Sequence, residues 1–398
     1  MKLELTLAAV AALAAATPSG ASAESPAAST CSKAAVAAAG AAVRSARSQL
    51  SALPPSEDDP TVPPATSRRI EATKDRMRDF VKAEMACVPA SPEPKRLAAE
   101  MADQGGFVQA VSSDPAPGSA AGHGDRLAYQ VSRVAGHPNM LAVVATLGIR
   151  CGSDSMLLLY RRSGTGWEEA MVRRSAPYRE IRGGWADLRF AVSPPDAEGR
   201  WFVATVSTTP WCTSAWQGLP YELARPGPAP DRPRVILRGK GTIYLGDESD
   251  LILRAERGAF ELRHDGGSLD PDLLVRRHVR RYSVSGDTVR RVQPVAENVR
   301  DFADEWIESP WAEARAWSAA DPVLTAAHAQ LRSARHTSLG AFSSIRDCGG
   351  GTTQLEIAVQ EGPGWFLTVR GGAGRWTVER VARKAAAGCS GANRPGEP

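Results

Sequence analysis

The chain has 398 residues, 43% apolar and 23% charged, and its 48 basic and 44 acidic side chains leave a net charge of +4. This composition excludes wholesale disorder, a collagen or coiled-coil fibre and a polytopic membrane protein, and so small a charge does not predict nucleic-acid binding. The 29 Pro and 36 Gly point to many turns, and the 10 Trp outnumber the 8 Phe and the 6 Tyr.

Residues 1–23 have the pattern of a secretory signal peptide. Lys2 precedes an apolar stretch, Leu5 to Ala16, too short to span a bilayer, and Ala21-Ser22-Ala23 supplies the small residues of a cleavage site. After it the longest apolar run is Met140 to Ile149, which is the length of a buried strand. The remaining chain is therefore expected to be soluble, periplasmic or secreted, without a transmembrane segment. Six cysteines follow: Cys31, Cys87, Cys151, Cys212, Cys348 and Cys389. An even count in an oxidising compartment predicts three disulfides, and the absence of CxxC or Cys/His spacing gives no metal site.

In chain order, Val36, Ala39, Val43, Ala46, Leu50 and Leu53 are spaced 3-4-3-4-3 and draw one apolar seam along a helix from Ser32 to Leu53. A Pro-rich connector, Pro54 to Pro64, leads to a second helix near Ser67 with a stripe of Ile70, Met77, Phe80, Val81 and Val88. Two antiparallel helices, each about 30 Å long, bring Cys31 beside Cys87, so residues 31–104 are read as a disulfide-stapled helical hairpin. Residues 105–126 read as a Gly/Ser/Pro/Ala linker. Residues 127–296 change to short strands separated by turns, an antiparallel β domain of sandwich or propeller-like type. Within it, Cys151 and Cys212 occupy the same place in successive strand pairs, which predicts the 151–212 bridge. Residues 297–390 form a small α+β module. It has a helix carrying Phe302, Trp306 and Ile307, helix starts at Ser309-Pro310 and Asp321-Pro322, and strands bracketed by Cys348 and Cys389, which pair. Residues 391–398 are a tail. The fold class is thus α+β, mainly β.

Half of the tryptophans closely follow a glycine, as in Gly166-Trp167 and Gly364-Trp365, where Gly makes the turn and Trp opens the outgoing strand. Trp211 and Trp216 differ: they flank Cys212 in a loop and are candidate contacts for a sugar or peptide. The densest basic stretch, Val275 to Tyr282, places Arg276, His278, Arg280 and Tyr282 on one face of a strand. That face is a candidate anion site, because Arg forks match phosphate, sulfate and carboxylate, or else a charge-protected sheet edge. Acidic residues nearby in sequence, Asp270, Asp272, Asp301, Asp304 and Glu305, could neutralise it, although the helix 301–308 is expected to turn its charges to solvent. No nucleophile elbow, zinc-protease, phosphate-loop or dinucleotide motif occurs, so no catalytic residue, cofactor or metal is assigned. The expected function is binding or scaffolding of an anionic or glycan component of the cell envelope. The alternatives are an envelope-polymer hydrolase with paired carboxylates and a module that docks a protein partner through its helical hairpin.

Overall fold

The computed structural model describes residues 31–53, 60–106, 122–245, 250–372 and 374–389. The expected signal peptide, most of the linker, part of the Pro-rich connector and the tail lie outside these residues. Helices α1 (Lys33–Ser51) and α2 (Pro64–Met85) form the hairpin, and a third helix, α3 (Pro94–Gly105), packs beside them. Ser32 Oγ caps α1 by accepting from the Ala35 N–H, and Val36, Val43 and Leu50 of the seam are buried. Cys31 pairs with Cys87 across the end of the hairpin. The third helix was not anticipated. It is short, and its start rests on Glu93, whose carboxylate accepts from the Arg96 N–H, with Pro94 in the first turn.

Sixteen strands follow among the described residues, in four antiparallel four-stranded meanders. The first contains β1 (Leu127–Val134), β2 (His137–Ile149), β3 (Gly152–Ser163) and β4 (Gly166–Arg174). The second contains β5 (Ala186–Val192), β6 (Val203–Thr208), β7 (Trp216–Arg225) and β8 (Arg234–Tyr244). The third contains β9 (Ile252–Glu256), β10 (Ala259–Gly267), β11 (Val275–Ser285) and β12 (Thr288–Arg291).

Strand periodicity explains how these meanders stack. Along β2, Leu141, Val143, Ala145 and Leu147 face the helices, while Met140, Ala142 and Val144 face the second meander and meet Val192, Val203 and Ala224. The unbroken apolar run from Met140 to Ile149 is therefore a strand buried on both faces. The opposite face of the second meander, through Ala204, Val206, Leu219, Tyr221 and Leu223, packs on Phe260, Leu262, Tyr282 and Val284 of the third. Three blade-like units thus stack in series. Cys151 and Cys212 join the first two at equivalent corners, each in the connection between the second and third strands of its meander. Lys74, 1% exposed, pins α2 to the first meander through Asp154 at 3.0 Å and Ser175 Oγ at 2.8 Å.

Helices α4 (Val299–Glu308), α5 (Trp311–Ala314) and α6 (Pro322–Ala334) come next. Ser309 closes α4 and Pro310 is the cap of α5, one residue later than the expected Ser-Pro start, whereas Asp321 and Pro322 begin α6 as expected. The fourth meander contains β13 (Leu339–Gly349), β14 (Thr352–Val359), β15 (Trp365–Gly372) and β16 (Arg375–Ala382), closed by Cys348–Cys389. Its core joins Leu355, Leu367 and Val378 to Phe302, Trp306 and Leu324. No helix among the described residues is long and apolar enough to cross a membrane.

Candidate functional site

The acidic residues of α4 recur at 301, 304, 305 and 308, a spacing of three, four and seven that places them on one helical stripe. The opposite stripe, Phe302, Trp306 and Ile307, belongs to the fourth meander's core. Both stripes are buried apart from the half-buried Glu308. Asp304 and Glu305 are each 1% exposed, so the expectation that this helix turns its charges to solvent is overturned. The cause is the basic strand opposite. Arg276 on β11 places Nε 2.9 Å from Asp304 Oδ1, and its Nη2 donates to Glu305 Oε2 and Glu308 Oε2, each at 2.9 Å. Arg291 on β12 reaches Glu305 Oε1 at 2.7 Å and Glu313 at 3.2 Å.

Electrostatics follow the packing. Burial opposes the charge on Arg276, but Asp304, Glu305 and Glu308 outweigh it and hold the guanidinium pKa above its ordinary value. Burial likewise opposes the Glu305 carboxylate, and Arg291 and Arg276 overcome it, keeping that group well below the ordinary carboxylate range. Glu308 behaves differently. Burial, with Asp304 and Glu305 adding to it, pushes Glu308 up to about 7 despite Arg276. His278 is pushed down by burial and by Arg276, and its ring stacks on His264 with centroids 5.0 Å apart. His278, Glu305 and Glu308 bring donor atoms within 4.8 Å of one another. Two of the three, Glu305 and Glu308, already accept from the Arg276 guanidinium.

Beside this network lies an open cleft of about 430 Å³, walled by Tyr221, Lys240, Arg280, Tyr282, Glu308 and Arg335 among others. Tyr221 and Tyr282 share a hydroxyl–hydroxyl hydrogen bond of 2.9 Å on its wall. Gly239 is required there: a Cβ at that position would come within 2.0 Å of the Tyr221 ring. Arg280, the next residue along the predicted face after His278, lines the cleft. It has no hydrogen-bond or ion-pair partner among the described residues, and its buried Nε is unsatisfied. The predicted face is therefore divided. Arg276 and His278 belong to the buried network, while Arg280 and Tyr282 reach the cleft.

The tryptophan loop does not contribute to this cleft. Trp211 packs on the helical core beneath Arg182, whose guanidinium carbon lies 4.5 Å from its ring centre. Trp216 packs on Tyr244 at 5.0 Å. No ring contact joins the two indoles among the described residues. The exposed large apolar side chains among those residues are Leu245, Leu274 and Val323, and none lies on the helical hairpin. Sequence reasoning missed Lys240 and Arg335, which are distant in the chain from the basic strand and carry no local motif. No protein-family model matches the chain, and a search of the curated proteins gives no match.

Proposed function

We propose that the protein binds an anionic group, a phosphate, sulfate or carboxylate of an envelope polymer, in the cleft beside β8, β11 and α4. The observation that carries this reading is Arg280: a guanidinium on the cleft wall with no hydrogen-bonded or ion-paired acid among the described residues, while its neighbours Arg276 and Arg291 are each ion-paired to carboxylates of the network. A fork with free donors has geometry suited to oxyanions. Lys240 and Arg335 add positive charge to the same walls. The three acids there offset this charge weakly, because Glu305 is neutralised by two arginines, Glu308 is held by Arg276 and Glu313 is held by Arg291.

The test is calorimetric titration of the disulfide-intact protein with polyphosphate, a sulfated glycan and a polyuronate at two ionic strengths. Binding that weakens with salt, and that falls about tenfold or more in Arg280→Gln, is expected. Arg257→Gln, a substitution in the β9–β10 turn, should leave it unchanged. Equal binding by Arg280→Gln overturns the assignment.

A second reading, an envelope-polymer hydrolase, draws support from Glu305 and Glu308, two carboxyl groups whose pKa values are driven apart beside one cleft. Both Glu305 oxygens are already bound by guanidinium groups, which leaves that carboxylate poorly placed as nucleophile or base. Release of new polymer ends by the parent but not by Glu308→Gln would favour this reading.

A further inference from the structure

A second cavity, about 670 Å³, opens at the stapled end of the helical hairpin, on a different part of the molecule from the arginine cleft. Its walls carry the Cys31–Cys87 bridge, Val36 of α1, Val88, Leu97 and Glu100 of α3, and Glu84 from the last turn of α2. That volume is in the range of pockets that hold small organic molecules.

Glu84 is the unusual member. It is 6% exposed, and its Oε1 is buried without a hydrogen-bond partner. The other acids of the cavity are engaged: the Glu93 carboxylate caps α3, and Glu100 accepts from Arg96 at 2.7 Å. Neither base of the cavity, Lys33 or Arg96, forms an ion pair with Glu84 among the described residues. Burial is the main influence on Glu84 and the neighbouring acid Glu100 adds to it, both raising its pKa. A carboxyl on the wall of a half-apolar cavity, with an unpartnered oxygen and no cation ion-paired to it among the described residues, lacks the partner that buried acids ordinarily have.

We propose that this cavity binds an organic cation, with a primary ammonium on Glu84 and its aliphatic stem along Val36, Val88 and Leu97. A free amine and the lysine side chain of a peptide share this chemistry. The ammonium supplies the missing donor and charge, and the stem replaces water against the three apolar side chains.

The experiment uses the full disulfide-bonded chain and n-hexylammonium, with hexanol and hexanoate as matched controls, and a lysine-containing tripeptide as a second source of the same group. Hexylammonium should bind in calorimetric titration, hexanol and hexanoate much more weakly, and Glu84→Gln should lose about tenfold or more in affinity. Whether the tripeptide competes with hexylammonium distinguishes a peptide-borne ammonium from a free amine. In the unsubstituted chain, backbone amide NMR shifts on titration should cluster at residues 84–88 and 97–104, which requires no variant to fold. No binding up to about 10 mM hexylammonium, equal binding of hexanol, or shifts clustered elsewhere overturns the proposal. Neither the Arg280→Gln variant nor the polyanion titrations bear on this cavity, so the two sites can fail separately.

Discussion

Replacing Arg276 with Met isolates the contribution of the buried charge network. The guanidinium is 1% exposed and is shared among three carboxylates, Asp304, Glu305 and Glu308. Its loss is not equal for the three. Glu305 keeps Arg291 at 2.7 Å, and Glu308, 30% exposed, can turn to water. Asp304 keeps only neutral donors, Ser268 Oγ at 2.9 Å and the Leu269 N–H at 2.7 Å, and no cation. Removing one partner of a buried ion pair costs about 3–5 kcal/mol. Because only one carboxylate is stranded, the expected deficit lies near the lower end, about 3 kcal/mol. Such a loss lowers the midpoint of urea unfolding without abolishing a fold whose total stability is in the ordinary range. Intrinsic tryptophan fluorescence, to which the buried Trp306 of the same helix contributes, follows the transition. The sign of the pH dependence is a further check. Acids stranded without their guanidinium hold protons more tightly folded than unfolded, so the deficit should shrink as pH falls from 8 to 5. A deficit below about 1 kcal/mol at pH 8, the value of a surface pair, or one that grows toward pH 5, would refute the reasoning.

Glu308→Gln should act in the opposite direction. The Glu308 pKa is raised to about 7, above its ordinary 4.5, so its favourable contribution is complete below pH 4.5 and is lost as pH rises through 7. The Gln variant should therefore gain about 2.5 kcal/mol on the parent between pH 5 and pH 8, measured by urea unfolding at both. The double substitution Cys151→Ala with Cys212→Ala removes the bridge between the first two meanders and should cost about 2–4 kcal/mol, and unchanged stability would show that the sheets hold without it.

Much of the fold was legible from periodicity and turns. The 3-4-3-4-3 spacing from Val36 to Leu53 marked the seam of α1, in which Val36, Val43 and Leu50 are buried, and the double-faced apolar run at 140–149 marked β2. The cysteines could be paired because a helical hairpin and a repeated corner each bring two of them together. The first strand of the fourth meander, β13, escaped notice because its register slips at three places and Ser344, Arg346 and Asp347 interrupt the apolar alternation. At the site, alternation along β11 puts Arg276, His278, Arg280 and Tyr282 on one face, but strand period says nothing about what covers that face. The covering element, α4, begins fourteen residues after β11 ends, with β12 between them. Its acidic stripe has the local pattern of a solvated face, and only the tertiary pairing of two arginines reverses that pattern. Arg280 differs from Arg276 by two steps of the same alternation, four residues along the strand, yet forms no ion pair with the helix's acids among the described residues.

The three disulfides link the first cysteine to the second, the third to the fourth and the fifth to the sixth. For a chain that enters an oxidising space from its amino end, the correct partner of every odd-numbered thiol is simply the next one to arrive. An oxidant that joins thiols in order of appearance reaches this one pairing of the fifteen available without a reshuffling step. Oxidation of an already translocated, reduced and unfolded chain has no such ordering, so its native yield should depend on an isomerase or a thiol buffer.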